Sequence, residues 1–151
     1  MTSVNQVAAY FLMKVDEEFG EGITNLKMQK LVYYAQAFHL ALFGIPLFEE
    51  KIEAWQHGPV VPELYHALKK YESSPIDPED PIFRVKLEFT EDQIEFLDEI
   101  YDNFARFSAW RLRDMTHSEA PWIDAFEDKW QSEIAHDSLR NFYSKMVQTQ
   151  D

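Results

Sequence analysis

The chain has 151 residues, no cysteine, and 27 acidic against 14 basic residues, for a formal net charge of −13. That length fits one domain able to bury about two-thirds of its unfolded surface without staples. The missing cysteines exclude disulfides and thiolate chemistry, and the charge opposes nucleic acid, whose phosphates are bound by basic groups. The apolar run from Val7 to Met13 has no basic segment before it and meets Lys14, Asp16, Glu17 and Glu18 directly after it. It reads as an amphipathic helix start rather than a signal peptide, and no window nears the roughly 18 apolar residues of a membrane span. A soluble cytoplasmic protein with no membrane partner is the expectation.

Ser3 is placed to cap a first helix to about residue 19, with Val4, Val7, Ala8, Phe11, Leu12 and Val15 on one face and Gly20 and Gly22 ending it. Thr24 caps a long second helix to about residue 43. Met28, Leu31, Val32, Ala35, Phe38 and Leu42 form its stripe, and Leu26, Tyr34 and Leu40 widen it. A helix apolar on most sides is usually the one around which the others pack. Gly44 stops it and Pro46 prevents a restart.

Residues 47–56 change to a short period-2 alternation that predicts a strand. Pro62 suits the first position of a helix over about 63–71. Three prolines and four acids in residues 72–82 predict an extended, exposed loop. Phe83, Val85, Leu87 and Phe89 alternate with Arg84, Lys86 and Glu88, a strand signal that could pair with the segment near Trp55. Thr90 caps a periodic helix over about 91–107, with Ile94, Leu97, Ile100, Tyr101 and Phe104 inward; Ser108 caps a shorter one to about 115. A turn at 118–121, a segment from 122 to 126 and a last helix over about 137–147, with Leu139, Phe142, Tyr143 and Met146 inward, complete the chain. The pattern predicts a mainly α, single compact helical domain over residues 1–151 with a small two-stranded β element.

Chemistry is sparse. His39, His57, His66, His117 and His136 make no zinc-binding spacing, the four glycines form no phosphate loop, and no nucleophile elbow is present. We therefore expect no metal, no cofactor and no catalysis; an enzyme would need His57 and His117 to meet in a cleft with a carboxylate. Two clusters stand out: Ala54-Trp55-Gln56-His57-Gly58-Pro59-Val60-Val61-Pro62 and Thr116-His117-Ser118-Glu119-Ala120-Pro121-Trp122. Glycine before proline fixes a bend, and Trp and His carry rings with polar handles. Read as physics alone, both are first of all corner motifs that lock elements together.

With the helix before them, these clusters resemble the SocA-like antitoxin domain, also called the Panacea domain, in older usage phage-associated GepA-like proteins. The resemblance rests on Leu26, Lys30, Leu31, Tyr33 and Ala35; then Ala54, Trp55, Gly58, Pro59 and Val60; then Thr116, His117, Pro121 and Trp122, all in order and spacing. It implies the antitoxin of a toxin–antitoxin module that neutralises a growth- or translation-inhibiting toxin by direct binding. The second reading it implies is an adaptor that delivers the toxin to a cellular protease. Relatives often carry a DNA-binding segment for which this chain has no room, so no direct nucleic-acid partner is expected. The resemblance makes Lys30, Tyr33, Trp55, His57, Gly58, Pro59, Thr116, His117, Pro121 and Trp122 scaffold or partner-binding residues. The charge pattern offers an acidic surface to a basic toxin, at Glu72, Asp77, Glu79 and Asp80 in the loop and Glu91, Asp92 and Glu95 at the helix start.

Overall fold

A computed structural model describes residues 2–15 and 22–148; Gly20 lies outside them, and the first helix, expected to about residue 19, already ends at Met13. In chain order it has α1 (Val4–Met13), α2 (Asn25–Phe43), β1 (Glu53–Trp55), β2 (Gly58–Val60), α3 (Pro62–Leu68), α4 (Glu91–Phe104), α5 (Ala109–His117), α6 (Ala120–Asp128) and α7 (His136–Gln148), with 3-10 turns at Lys69–Tyr71 and Pro81–Phe83. The mainly helical class with a two-stranded sheet is as expected. Ser3, Thr24, Thr90 and Ser108 accept the first free N–H groups of their helices, and Gly44 closes α2 at φ 77°. No helix among the described residues is long and apolar enough to cross a membrane.

The core forms around α2, which packs on α1, α3, α4, α5 and, most extensively, α7. Its apolar residues are buried on nearly every side, and among them sit three buried amides that order the following chain. Gln36 takes the Leu47 N–H (2.6 Å) and gives to the Phe48 carbonyl (2.8 Å). Gln29 takes the Val61 N–H (2.9 Å) and gives to Asn25 Oδ1 (2.8 Å), and Asn25 gives to the Tyr65 carbonyl (3.2 Å). Each buried donor and acceptor is thereby satisfied, so polar groups inside the core position the hairpin instead of destabilising it.

The sheet differs from expectation. β1 pairs antiparallel with β2 (Glu53↔Val60, Ala54↔Pro59, Trp55↔Gly58) through a turn at Gln56 and His57, not with residues 83–89. The other edge of β1 is held by residues 132–134: Ala54 N–H reaches the Ser132 carbonyl and Ile134 N–H the Ile52 carbonyl, both at 2.8 Å. With both edges of β1 taken, residues 84–89 run as an unpaired strap. Their alternation still governs burial, Val85, Leu87 and Phe89 half-buried and Arg84, Lys86 and Glu88 exposed. Phe89 meets the Tyr10 ring edge-on at 5.6 Å, and Gln6 Nε2 donates to the Lys86 carbonyl at 2.7 Å.

Two inward assignments also change. Ile94 is exposed and Phe96 buried, because α4 is turned toward the C-terminal end of α2, where His39 and Phe43 receive the Phe96 ring. Leu42 is exposed in the last turn of α2. The proline-rich loop is exposed only in part, since Ile76 is buried with its N–H on the Ile23 carbonyl (2.8 Å). Pro121 sits inside the first turn of α6 rather than in the turn before it.

Candidate functional site

The three motifs converge around Lys30. This lysine points from α2 beneath the hairpin, is completely buried, and gives one hydrogen bond, to the Pro59 carbonyl at 3.2 Å. Gly58 makes the approach possible. A Cβ there would stand 2.6 Å from Lys30 Cε and 3.1 Å from Thr116 Oγ1, and φ is +112°, so only glycine fits without strain. Thr116 is buried on α5 and returns its hydroxyl to the Arg113 carbonyl (2.8 Å). Desolvation, reinforced by the Arg113 guanidinium, pushes the Lys30 ammonium pKa down from 10.5 to about 7.

A second contact set joins the clusters through tryptophan. Trp122 donates Nε1–H to the Trp55 carbonyl (2.8 Å), tying α6 to β1, and stacks between His117 (3.9 Å) and Phe126 (4.6 Å). His117 bonds the Gln56 backbone, while its Nε2 is buried without a partner among the described residues; burial and the nearby Arg113 and Lys30 lower its pKa. Pro121 is buried in the first turn of α6, where its missing N–H costs nothing. His57 is exposed, edge-on to Trp110 at 6.0 Å. Tyr33 belongs to a different group: it donates to Tyr143 (2.8 Å), which with Tyr34 donates to one oxygen of buried Glu119 (2.8 and 2.7 Å). Desolvation raises the Glu119 pKa against the two tyrosine bonds that favour its charge.

Beside the Lys30 junction opens a cleft of about 900 Å³, inside the size range of sites that take ligands or side-chain anchors. Lys30 and Gln29 lie at its floor, and Trp55, edge-on to Tyr65 at 5.0 Å, forms a wall. Its lips carry Trp110, Phe126 and Trp130, which are 59%, 40% and 83% exposed. Glu72 and Gln131, the two non-glycine residues with positive φ among the described residues (53° and 50°), also line it. Backbone strain of this kind collects at binding sites more than elsewhere. Among the described residues no group of three or more His, Cys, Asp or Glu side chains is gathered as a metal site would require.

Residues 28–123 match the family described as Antitoxin SocA-like, Panacea domain. The chain belongs to that family. It is also 44% identical over 46 residues to Antitoxin SocA of Caulobacter vibrioides (strain NA1000 / CB15N), a stretch covering 30% of this chain and 24% of that protein. The chain thus matches about a quarter of that relative's length. No solved structure matches. The Panacea match holds the cleft's floor and Trp55 wall, whereas the lip formed by Phe126, Lys129, Trp130 and Gln131 lies outside it.

The acidic residues fall on two elements. Glu91, Asp92 and Glu95 are exposed on the first turns of α4, and Glu72, Asp77 and Glu79 are exposed in the loop after α3. Asp80 is no surface group. It is buried, with Lys70 Nζ at 2.7 Å, the Tyr71 hydroxyl and the Ile82 N–H on its carboxylate, and these hold its pKa down at about 2. Sequence reasoning passed over Trp110, Phe126, Lys129 and Trp130. The available signal was two tryptophans in polar surroundings, Ser-Ala-Trp110-Arg and Lys-Trp130-Gln-Ser, outside any apolar stripe.

Proposed function

We propose that this chain is the antitoxin of a toxin–antitoxin pair and neutralises a growth- or translation-inhibiting toxin by binding it directly, without catalysis. The observation that carries this reading is the cleft with exposed tryptophans on a SocA-like domain. Large apolar rings left in water beside a concave apolar surface cost solubility and are characteristic of partner-binding faces. Tryptophan and tyrosine anchors contribute most of the affinity at such faces. The relative's name, Antitoxin SocA, supports the same role.

The division of labour follows from burial. Gly58, Thr116 and Trp122 hold the hairpin and α6 in place from inside, so they shape the cleft without choosing its partner. The exposed acids on α4 and in the loop supply a negative field that speeds encounter with a basic toxin.

The test is co-expression in bacteria with each neighbouring reading frame, followed by growth and pull-down. The expected result is a frame that arrests growth alone, is tolerated with this chain, and co-purifies with it. No arrest, or arrest that the chain fails to relieve, overturns the reading. Rescue in which the toxin disappears, and reappears in a protease-deficient host, replaces neutralisation by delivery to a protease.

A further inference from the structure

The cleft departs from the overall charge of the molecule. In a chain of net charge −13, the charged side chains at its lining are Lys30, Lys69 and Lys129 against Glu72 alone. Lys69 and Lys129 are exposed, and neither forms an ion pair within 4 Å among the described residues. Lys30 is buried at the floor with a single backbone carbonyl as partner, and the charged group acting on it most strongly is another cation, Arg113. An ammonium taken out of water is normally paired with a carboxylate. Among the described residues no carboxylate pairs with Lys30.

We infer that the cleft seats a short linear segment of the partner protein in which an apolar or aromatic anchor residue stands beside an aspartate or glutamate side chain. The anchor fills the apolar space between Trp55, Trp110 and Trp130. The carboxylate lies among Lys69, Lys129 and, beneath them, Lys30. A carboxylate brought by the partner meets Lys69 and Lys129, which form no ion pair within 4 Å among the described residues, and favours the protonated form of Lys30. Shape points to a segment rather than a flat surface: the concavity of about 900 Å³ has room for side chains, and Trp110 and Trp130 stand exposed along it. Lys129 and Trp130 lie beyond the residues matched by the Panacea family, so the selective lip sits on a floor that the family match includes.

The identity of the partner as a toxin rests on the antitoxin reading; the chemistry of the segment does not. The probe is a random dodecapeptide library displayed on phage and selected on the purified chain, with the enriched peptides then synthesised with a fluorescent label and titrated by anisotropy. Enriched sequences should combine a Trp, Phe, Leu or Met with an Asp or Glu within a few positions. Replacing that acid by its amide should weaken binding at least tenfold, as should Trp130→Ala or the double variant Lys69→Glu/Lys129→Glu. These substitutions touch exposed side chains, and unchanged melting curves verify that the fold is kept. No enrichment, enrichment of basic peptides, or full binding by the charge-reversed variant overturns the inference. So does a wild-type dimer in sedimentation that Trp130→Ala converts to monomer, since the cleft would then be a self-association face. The two readings fail separately. A chain that rescues growth but selects no acidic peptide keeps its antitoxin role and loses the segment; one that binds the peptides but rescues no toxin does the reverse.

Discussion

Lys30 carries the main conflict between stability and use in this molecule. Its folded pKa of about 7 lies below the ordinary 10.5, so between those values the unfolded chain holds a proton that the folded chain lacks. Stability from this group therefore rises as pH increases through that window. Lys30→Met keeps the length and removes the buried charge. It is expected to raise stability at pH 7 by about 1 kcal/mol or more, and to flatten the increase between pH 7 and 10 in thermal melts. A lower melting temperature at pH 7 would show that the bond to Pro59 outweighs the charge burial. Glu119 is the mirror case. With its folded pKa raised above 4.5, the folded state binds a proton first as pH falls, so its contribution to stability decreases as pH rises through the folded pKa. Glu119→Gln retains an acceptor for Tyr34 and Tyr143 and is expected to melt at or above wild type at pH 8. Glu119→Ala strands two buried hydroxyls and should cost about 2–4 kcal/mol in urea denaturation.

Between elements, the joints are single side chains, and the variants that separate structure from binding follow from their burial. Trp122→Ala removes the bond from α6 to β1 and the stack with His117, so both melting temperature and toxin binding should fall; loss of about 3 kcal/mol or more is typical for a buried tryptophan. Trp130→Ala should reduce binding with the melting curve unchanged. If Trp122→Ala kept full stability yet lost binding, the motif would be contact surface and not scaffold. Asp80→Asn weakens the latch that Lys70, Tyr71 and Ile82 close on the loop. Because the Asp80 pKa is depressed to about 2 from 3.8, the stability it gives is present above 3.8 and lost as pH falls toward 2. The variant should lose about 1–2 kcal/mol of stability at pH 7, expose residues 72–82 to limited proteolysis, and no longer respond in that acid window.

These same joints explain which features could be read in the sequence. Caps at Ser3, Thr24, Thr90 and Ser108, the stop at Gly44 and the helix start at Pro62 are local chemistry, and each appears where its residue type predicts. Strand pairing is not local. Residues 84–89 carry a strand's alternation without a strand's partner, because β1 has already spent both edges on residues 58–60 and 132–134. The motif clusters were legible as corner motifs that lock elements together, whereas their convergence on Lys30 and the binding lip were not. Trp110 and Trp130 are exposed single residues without periodicity, and only tertiary folding brings them to one cleft. Asp80 looked like its acidic neighbours, and only Lys70 and Tyr71 folding over it set it apart.

For the whole molecule, the charge has two scales. The net −13 acts at a distance and is screened by salt, whereas the lysines of the cleft act locally on whatever is seated there. Association with a basic toxin should therefore slow as ionic strength rises from 50 to 500 mM, while the dissociation rate changes little, a split that stopped-flow fluorescence of the complex resolves. Equal salt effects on both rates would remove the acidic surface from the mechanism. On the proposed function, the tryptophan-lipped cleft is where the chain holds its toxin. The most direct measurement is the affinity of the purified rescued toxin, by calorimetry, for Trp130→Ala and for the charge-reversed Glu91→Lys/Asp92→Lys variant. The expected result is a loss of at least tenfold for Trp130→Ala with an unchanged melting temperature, and a smaller, salt-dependent loss for the acidic variant. Wild-type affinity in Trp130→Ala together with collapse in the acidic variant would contradict it and move the binding face to α4.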